Sequence, residues 1–272
     1  MPELPEVETV RQTLRRQILG VTITNIDVLY PNIIKEDVLE FKKKLIGEKL
    51  VEIDRKGKFL IFIFENINLL VHLRMEGKFF IKPSKEEIVK HEHIIFKLSN
   101  NMDLRYHDTR KFGIMITKQN EELYTTNPLL ELGEEPFNMD GKMLYNAIFQ
   151  SEKPIKEVLL DQHIISGIGN IYADEICFYA KINPRKKCKD LSTSDVDNII
   201  EGARHILSEA IKMGGTTIRS YTSSLGVTGL FQQNLFVHKQ ENKPCKICNE
   251  IIVKTRVGGR GTYYCPKCQE LK

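Results

Sequence analysis

The sequence predicts an α+β protein with two domains: an N-terminal antiparallel β-sandwich preceded by one helix, and a helical domain that ends in a zinc-binding β-hairpin. Three observations predict this class. Residues 21–117 hold many short β-branched or aromatic runs, residues 139–213 change to helical spacing, and four cysteines are grouped near the end. With 272 residues and 41% hydrophobic content, the chain can bury a core in each domain.

The first predicted element is an amphipathic helix over residues 5–19. Gly20 is a natural stop for this helix, and Pro5 is suited to its first turn. Four apolar residues recur at helical spacing: Val7, Val10, Leu14 and Ile18. Such a helix fixes the N-terminus of the chain against the surface on which it packs.

The next hundred residues read as strands. Most of the runs have no helix between them, which favours an antiparallel sandwich or barrel. Asn100-Asn101 resembles a hairpin turn, and residues 37–47 are a candidate short helix between strands. Candidate strands cover residues 21–29, 50–55, 59–64, 68–74, 78–81, 93–98, 103–107 and 112–117.

Residues 118–150 contain Pro- and Gly-bearing turns that are typical of a linker, and helices are predicted beyond them. We expect Ser194 to cap the last helix and Gly214 to end it. Residues 216–234 are rich in Ser, Thr and Gly and are predicted to be mobile. Candidate helices cover residues 139–150, 155–161, 169–180 and 194–213, and the expected division of the chain is 1–130, 131–235 and 236–272.

The last segment carries the most specific metal signal. Cys245-x2-Cys248 is followed after sixteen residues by Cys265-x2-Cys268, which predicts one structural zinc ion held by four thiolates. So short a segment has too little apolar mass to fold without such a crosslink. Between the pairs, Val257 to Thr262 predicts a hairpin tip with Arg260 among glycines. The two remaining cysteines are predicted to be a buried thiol (Cys177) and an exposed one (Cys188).

The distribution of charge is more informative than the net charge of +4. Residues 236–272 hold eight Lys/Arg against three Asp/Glu, and residues 181–189 hold five Lys/Arg and no acid. Such patches suit a polyanion, although each alone is also typical of a solvated face. The sequence has neither an apolar run long enough for a membrane span nor a secretory leader, so a cytoplasmic protein is expected.

The N-terminus carries a candidate nucleophile. Removal of Met1 would leave Pro2 with a free secondary amine, which titrates near pH 8 and forms an iminium with an aldehyde. Glu3 lies beside that amine and can move a proton. These residues alone favour a simpler interpretation, in which Pro2 only protects the terminus and Pro5 starts the helix.

Three further places carry candidate chemistry in the β-rich part. Lys58 begins a strand after a tight turn. Residues 72–77 end another strand and combine basic, acidic and apolar side chains before a glycine. Arg110 and Phe112 lie together, a pair that can enter DNA as a wedge and a hydrogen-bond donor. Phe112 could equally be a core strand residue.

These motifs together resemble the bacterial formamidopyrimidine-DNA glycosylases. The likeness rests on residues 2–8, Lys58, residues 72–77 and 108–113, and on a later stretch, 160–175, that resembles the helix–two-turn–helix of that family. The resemblance spans nearly the whole chain. It implies a β-sandwich domain, a helix–two-turn–helix domain and a zinc hairpin, with DNA bound between the domains.

The resemblance also implies roles for individual residues. Pro2 is the nucleophile, Glu3 the proton-transfer group and Lys58 a cation near the sugar and phosphate. Met75, Arg110 and Phe112 fill the void left by the flipped nucleotide, and Arg110 faces the orphaned cytosine. Residues implied to contact the DNA backbone are His91, Lys156, Asn170 and Arg260, and Arg260 is expected to act beside the lesion in catalysis as well.

The predicted function is therefore a DNA glycosylase with AP lyase activity. It would remove oxidised purines, such as 8-oxoguanine and formamidopyrimidines, from double-stranded DNA through a Pro2 Schiff base and β,δ-elimination, and it would also act on abasic sites. Structural zinc is the one cofactor expected, the chain is expected to be a monomer, and no membrane partner is implied. The sequence does not rank the lesions, and it does not decide whether Glu76 touches the lesion or braces the strand end.

Two alternatives stay open at this point. An endonuclease VIII-like enzyme would remove oxidised pyrimidines with the same nucleophile, but its start reads Pro-Glu-Gly-Pro-Glu, whereas this chain has Leu4. A zinc-ribbon protein that binds lesions without cutting is the second alternative, and the presence of Pro2, Glu3 and Lys58 argues against it.

Overall fold

The computed structural model describes residues 1–216 and 230–271. The chain divides into two compact units, residues 1–130 with 214–229 and residues 131–213 with 230–272. The cysteine-bearing end belongs to the same compact unit as the helices. The expectation that residues 216–234 form a mobile loop falls largely on residues 217–229, outside the described residues.

The first unit is a β-sandwich with two helices. Its sheets are antiparallel and four-stranded, in the orders β1-β6-β7-β5 and β2-β3-β4-β8. Helices α1 and α2 and the inner faces of both sheets share one apolar core. The elements are α1 (Leu4–Ile18), β1 (Ile23–Val28), α2 (Val38–Leu45), β2 (Leu50–Lys56), β3 (Phe59–Phe64), β4 (Asn68–His72), β5 (Lys78–Pro83), β6 (Glu92–Leu98), β7 (Met102–His107) and β8 (Ile114–Lys118).

All eight strands expected in this unit are present, α1 lies where the apolar spacing predicted it, and α2 lies within the candidate helix at residues 37–47. The hairpin between β6 and β7 turns at Asn101, whose φ is +62°. Asp37 caps α2 by accepting hydrogen bonds from the N–H groups of Leu39 and Glu40. Most strand ends differ from the expected ones by one or two residues, and one of these differences concerns a candidate site residue. Strand β8 begins at Ile114 and not at residue 112, so Phe112 lies in the preceding loop.

The second unit packs four helices and a two-stranded hairpin. Helices α3 and α5 pack on the long helix α6, and α5 also packs on α4 and β10. One apolar core lies among the helices. A second lies between α5 and residues 236–271, which we call the cysteine-bearing module. The elements are α3 (Gly141–Ile148), α4 (Ile155–Leu160), α5 (Asn170–Tyr179), α6 (Thr193–Lys212), β9 (Val253–Val257) and β10 (Arg260–Tyr264).

Two expectations about this unit were wrong. Ser192, not Ser194, caps α6. Its Oγ accepts from the N–H of Asp195 at 3.1 Å, and the Asp195 carboxylate accepts from the N–H of Ser192. This is a capping box with the required spacing of three. Cys188 was expected to be exposed but is 1% exposed, because a short 3₁₀ turn (Cys188–Asp190) directs its side chain into the helical core. Burial raises the pKa of its thiol to about 11.

Within residues 1–216 and 230–271, no helix is long and apolar enough to cross a membrane.

Candidate active site and nucleic-acid interface

The N-terminal segment is held by one buried carboxylate. Glu6 accepts from the N–H of Glu3 at 2.9 Å through Oε2, and from the N–H and Oγ1 of Thr216 at 2.8 and 3.1 Å through Oε1. A Cβ on Gly215 would lie 2.6 Å from Glu6 Oε1, so only glycine permits this approach. Glu3 itself is buried, and Pro2 precedes it as a half-buried residue. Glu6 therefore ties the residue after Pro2 to Gly215 and Thr216.

Lys58 lies next to a buried histidine. Lys58 follows the β2–β3 turn at Gly57 and is itself buried, and the adjacent Phe59 pairs with His72 across β3 and β4. Burial, with smaller contributions from the positive charges of Arg74 and Lys58, lowers the pKa of His72 to about 3. Its Nδ1 accepts from the N–H of Arg74 at 2.9 Å. His72 is therefore neutral near pH 7, while Lys58 and Arg74 are positively charged side chains near it.

Asp108 shapes the loop that carries Arg110 and Phe112. Its carboxylate accepts from the N–H groups of Arg110, Phe112 and Gly113, each at 2.9 Å. Phe112 is consequently displayed with 53% of its surface exposed, and the Arg110 guanidinium lies 4.8 Å from the centre of its ring. The loop presents an aromatic ring and a guanidinium side by side.

The loop after β4 is joined to the Asp108 loop. The Thr109 hydroxyl donates to the Glu76 carboxylate. Both loops also close on the same tyrosine, because a Cβ on Gly77 or on Gly113 would lie within 2.2 Å of the Tyr106 hydroxyl. Met75 projects from the first loop with 41% of its surface exposed. The structure thus brings together the segments that carry Met75, Arg110 and Phe112.

His91 lies beside the same loops. Its carbonyl accepts from the N–H of Asp108 at 3.0 Å, and its backbone has a φ of +74°. Its ring contacts those of His93 and His107 at centroid distances of 6.2 and 5.7 Å. His91 is half-buried, so its position is set by the first unit while part of the residue is accessible.

In the second unit, Asn170 begins α5 after a glycine turn. The first N–H groups of a helix favour an anion. The side-chain nitrogen of Asn170 donates to the carbonyl of Gly261 at 3.0 Å, while its Oδ1 and the buried Ser166 Oγ have no hydrogen-bond partner within the residues described. Both atoms are buried, so the group that this helix end offers to an anion is its set of first N–H groups.

Arg260 lies at the tip of the β9–β10 hairpin. Gly258 and Gly259 form the two-residue turn, with φ values of +54° and +74° that suit a tight hairpin. Arg260 pairs with Val257 across the turn and is exposed. The tip places one guanidinium in solvent beside Gly261, the residue to which Asn170 donates.

The expected phosphate contact of Lys156 is not available in this structure. Lys156 is 0% exposed, and its Nζ donates to Asp174 Oδ1 at 2.7 Å, to the Gly261 carbonyl at 3.0 Å and to Thr262 Oγ1 at 2.9 Å. An ammonium has three protons, so all of them are donated within the unit. A phosphate cannot reach Nζ without breaking these bonds.

The four grouped cysteines converge on one point. Their Sγ atoms all lie within 4.8 Å of one another, with 3.9 Å between Cys245 and Cys268 and 3.4 Å between Cys248 and Cys265. Thiolates at about 2.3 Å from a tetrahedral zinc are about 3.8 Å apart, so the residues fit this ion. The N–H groups of Ile247 and Cys268 donate to the Sγ atoms of Cys245 and Cys265, which stabilises thiolate charge.

Several positioning residues were not singled out from the sequence. Asp108 could have been suspected, because an Asp before a loop often binds its N–H groups. Glu6 was noticed only as one turn beyond Glu3, and the sequence has no signal for its contact with Thr216. The same holds for Asp174, whose partners come from α4 and from the segment before the cysteines.

Known protein families match three successive parts of the chain. Residues 1–115 match the formamidopyrimidine-DNA glycosylase N-terminal domain, residues 132–222 match the H2TH domain of the same enzyme, and residues 242–271 match a zinc finger found in FPG and IleRS. Two relatives named formamidopyrimidine-DNA glycosylase are similar over their full length. That of Oceanobacillus iheyensis is 45% identical, over 100% of this chain and 99% of the relative. That of Bacillus cereus is 44% identical, over 99% of each.

Solved structures agree with this fold. The Lactococcus lactis Fpg in complex with abasic-site DNA superimposes with a TM-score of 0.93 at 38% identity, over 98% of this chain and 99% of that one. A complex of the Lactococcus lactis enzyme with Fapy-dG-containing DNA gives a TM-score of 0.92 at 37% identity, over 98% of this chain and 100% of that one. On its domains, its relatives and its fold, the chain belongs to the formamidopyrimidine-DNA glycosylase family.

Proposed function

We propose that the protein excises oxidised purines from double-stranded DNA and then cleaves the resulting abasic site, with Pro2 as the nucleophile. The observation that carries the proposal is the clamp at the N-terminus, in which Glu6 fixes the residue that follows Pro2. A buried hydrogen bond of this kind restricts where the Pro2 nitrogen can lie, and orientation is a large part of catalysis. The relatives' shared name supports the same chemistry.

The nucleophile requires that Met1 be removed, because the nitrogen of an internal proline is an amide without a reactive lone pair. The free Pro2 amine attacks C1′ of the flipped nucleotide while the bond from C1′ to the base breaks. The base leaves with a proton, and the sugar ring opens to give an iminium between Pro2 and C1′. Glu3, which is buried beside the amine, is the proposed group for proton transfer to the opening sugar.

The iminium then drives strand cleavage. It acidifies C2′, so a base removes a C2′ proton and the 3′ phosphate leaves by β-elimination. A second elimination releases the 5′ phosphate, and water hydrolyses the remaining iminium to free Pro2. Lys58 is proposed to stabilise negative charge on the sugar and phosphate oxygens, since the neighbouring His72 carries no competing charge near pH 7.

The remaining residues are proposed to hold the DNA. Phe112 and Met75 are exposed apolar side chains that can fill the space of a flipped nucleotide, and Arg110 beside Phe112 can pair with the orphaned base. Arg260, Asn170 and His91 are proposed to bind phosphates. Because Arg can bind a phosphate through two nitrogens, Arg260 is the strongest of the three candidates.

The four cysteines would hold one zinc ion, whose contribution is to crosslink a segment with little apolar mass, which shares its small core with α5. Thiolate ligands require reduced cysteines, which supports a cytoplasmic location.

Borohydride trapping on a duplex with 8-oxoguanine opposite cytosine tests the proposal. The protein is first checked by intact mass for the loss of Met1. Reduction converts the iminium into a stable amine, so we expect a covalent protein–DNA band whose crosslinked peptide contains Pro2. A Pro2→Gly variant replaces the secondary amine with a primary amine and is expected to trap more weakly, whereas a Glu3→Gln variant separates proton transfer from binding.

Two outcomes would contradict the proposal. Trapping only on a duplex with an oxidised pyrimidine would indicate an endonuclease VIII-like specificity. Tight binding to a lesion or abasic duplex without any trapping or nicking would indicate a lesion-binding protein.

A further inference from the structure

Helix α5 carries two adjacent buried acids that both bind the cysteine-bearing module. Glu175 accepts from the N–H groups of Phe236, Val237 and His238 at 2.9, 3.0 and 2.8 Å. Asp174 accepts from His238 Nδ1 at 2.7 Å through Oδ2. A carboxylate that binds three successive N–H groups fixes the course of that backbone. The chain leading to the cysteines is therefore anchored to α5.

Lys156 connects the same acid to the other end of the module. Through Oδ1, Asp174 binds the ammonium of Lys156, and that ammonium also binds the Gly261 carbonyl and Thr262 Oγ1. The Thr262 hydroxyl in turn donates to the carbonyl of Arg260 at 3.0 Å. The chain of bonds thus runs from α5 through α4 to the backbone of Arg260.

The hairpin tip is held from two further sides. The Gly261 carbonyl accepts from Asn170 as well as from Lys156. A Cβ on Gly258 would lie 2.6 Å from Glu157 Cγ, so the turn packs directly on α4. The backbone on both sides of Arg260 is therefore fixed, while its guanidinium is exposed.

We propose that Lys156 is a positioning residue for Arg260: with Asp174 and Thr262, it holds the hairpin so that the Arg260 guanidinium and the α5 N-terminus address the same DNA phosphate region. This inference rests on the proposed function, because it assigns how the phosphate contact is built. Lys156 acts through the backbone of Arg260 and does not touch DNA. Its charge is neutralised by Asp174 inside the protein, so it contributes no counterion release of its own.

A double-mutant cycle on DNA binding tests this assignment. Binding is measured as a function of salt with a duplex that contains a tetrahydrofuran abasic analogue, for the wild type, K156M/D174N, R260A and the triple variant. The double variant removes both buried charges together, so neither charge is left without its partner. We expect K156M/D174N to weaken binding about tenfold and to reduce the salt slope by about 0.9, the value for one lost phosphate contact. In the R260A background it should weaken binding less than about twofold.

Thr262 supplies a milder variant pair in case the double variant does not fold. T262V removes the hydroxyl and keeps the shape, whereas T262S keeps the hydroxyl. We expect T262V to weaken binding several-fold and T262S to bind like the wild type, and we expect the two to be equal in the R260A background. K212M removes an exposed lysine of α6 that pairs with Glu209, and serves as the control for the single positive charge that R260A removes.

The proposal is wrong if the losses of DNA-binding affinity caused by K156M/D174N and by R260A are additive. If K156M/D174N weakens R260A as much as it weakens the wild type, Lys156 acts independently of Arg260. If T262V and T262S bind equally in the wild-type background, the hydroxyl link has no role. Failure of the proposed function gives a different result. If the wild type binds the abasic duplex but forms no borohydride-trapped product, the proposed function is wrong, and the binding cycle still tests the link between Lys156 and Arg260. A wild type that binds no duplex overturns both.

Discussion

Asp108 in the first unit and Lys156 in the second are both fully buried charges that hold an exposed loop, but they act over different distances along the chain. Asp108 binds N–H groups two, four and five residues ahead of it. Lys156 binds a carbonyl and a hydroxyl that lie 105 and 106 residues ahead. The anion collects donors from its own loop, whereas the cation collects acceptors from another element.

The difference has an energetic consequence. The Asp108 carboxylate is stabilised by local backbone groups, which form with the loop itself. The Lys156 ammonium is stabilised only when α4, α5 and the hairpin are all in place, because its partners come from each of them. A buried charge that loses such partners is far more costly than one that was never buried. Lys156 should therefore couple the stability of the hairpin to that of the helices.

The largest expected effect is on K156M. This variant leaves Asp174 buried without its ammonium, and we expect it to lower the free energy of unfolding by about 3–5 kcal/mol. K156M/D174N should cost less than K156M alone, since no charge is left without a partner. Urea denaturation of both variants, with K212M as the control, measures the difference. If K156M lowers the free energy of unfolding by less than about 1 kcal/mol, Lys156 does not couple the hairpin to the helices, and it does not differ from Asp108 in the way described.

A smaller loss is expected for D108N. The amide keeps one acceptor oxygen, but its NH2 group faces N–H donors of the loop, so we expect a cost of about 2 kcal/mol. D37N is the matched control, because Asp37 binds two N–H groups through the single Oδ1 that asparagine retains. Equal unfolding free energies for D108N and D37N would contradict the loop-holding role of Asp108.

His72 extends the comparison to a buried group of the first unit that is held neutral. Its folded pKa is about 3, against about 6.5 in the unfolded chain, so the unfolded state binds more protons between these values. Stability should therefore fall as pH is lowered from about 6.5 towards 3, and be unaffected by this group above 6.5. From pH 7 to pH 5 the loss is about 2 kcal/mol.

H72N keeps an acceptor for the N–H of Arg74 and cannot titrate in this range. Urea denaturation at pH 7 and pH 5 should give a smaller difference for H72N than for the wild type, and H205Q, at an exposed position of α6, should behave like the wild type. If H72N and the wild type lose the same stability on acidification, the depressed pKa of His72 is wrong.

The smallest effect on stability is expected for F112A, at the tip of the loop that Asp108 holds. Phe112 is exposed, and its contact with Arg110 is worth about 0.5–1 kcal/mol at such a site. Stability should therefore change by less than about 1 kcal/mol, while affinity for the abasic duplex should fall several-fold. L39A truncates another exposed apolar residue, on α2, and should change neither quantity. A large loss of stability in F112A would instead make Phe112 a structural residue.

Much of the fold was predictable because it depends on local pattern. The eight strands of the sandwich, the hairpin turn at Asn101 and the four converging cysteines all follow from spacing within short segments. The loop of Asp108 belongs to this class, since its donors lie within five residues. The capping box at Ser192 had the same kind of signal, and the choice of Ser194 overlooked the acid three residues after Ser192.

The burial of Lys156 and Cys188 could not be predicted from the residues around them in the sequence. Both residues lie in or near lysine-containing sequence, which by itself is typical of exposure, and both are buried. Lys156 is buried because Asp174, Gly261 and Thr262 converge on it from three elements, and Cys188 because a single 3₁₀ turn directs it inward.

The sequence by itself determined the class of fold, the metal ligands and the family to which the motifs belong, since each depends on residue type and spacing along the chain. Only the tertiary structure decided which charged residues are exposed and which are buried against partners from other elements. The physical reason is that the burial of a charge depends on partners contributed by distant segments, and spacing along one segment carries no information about them.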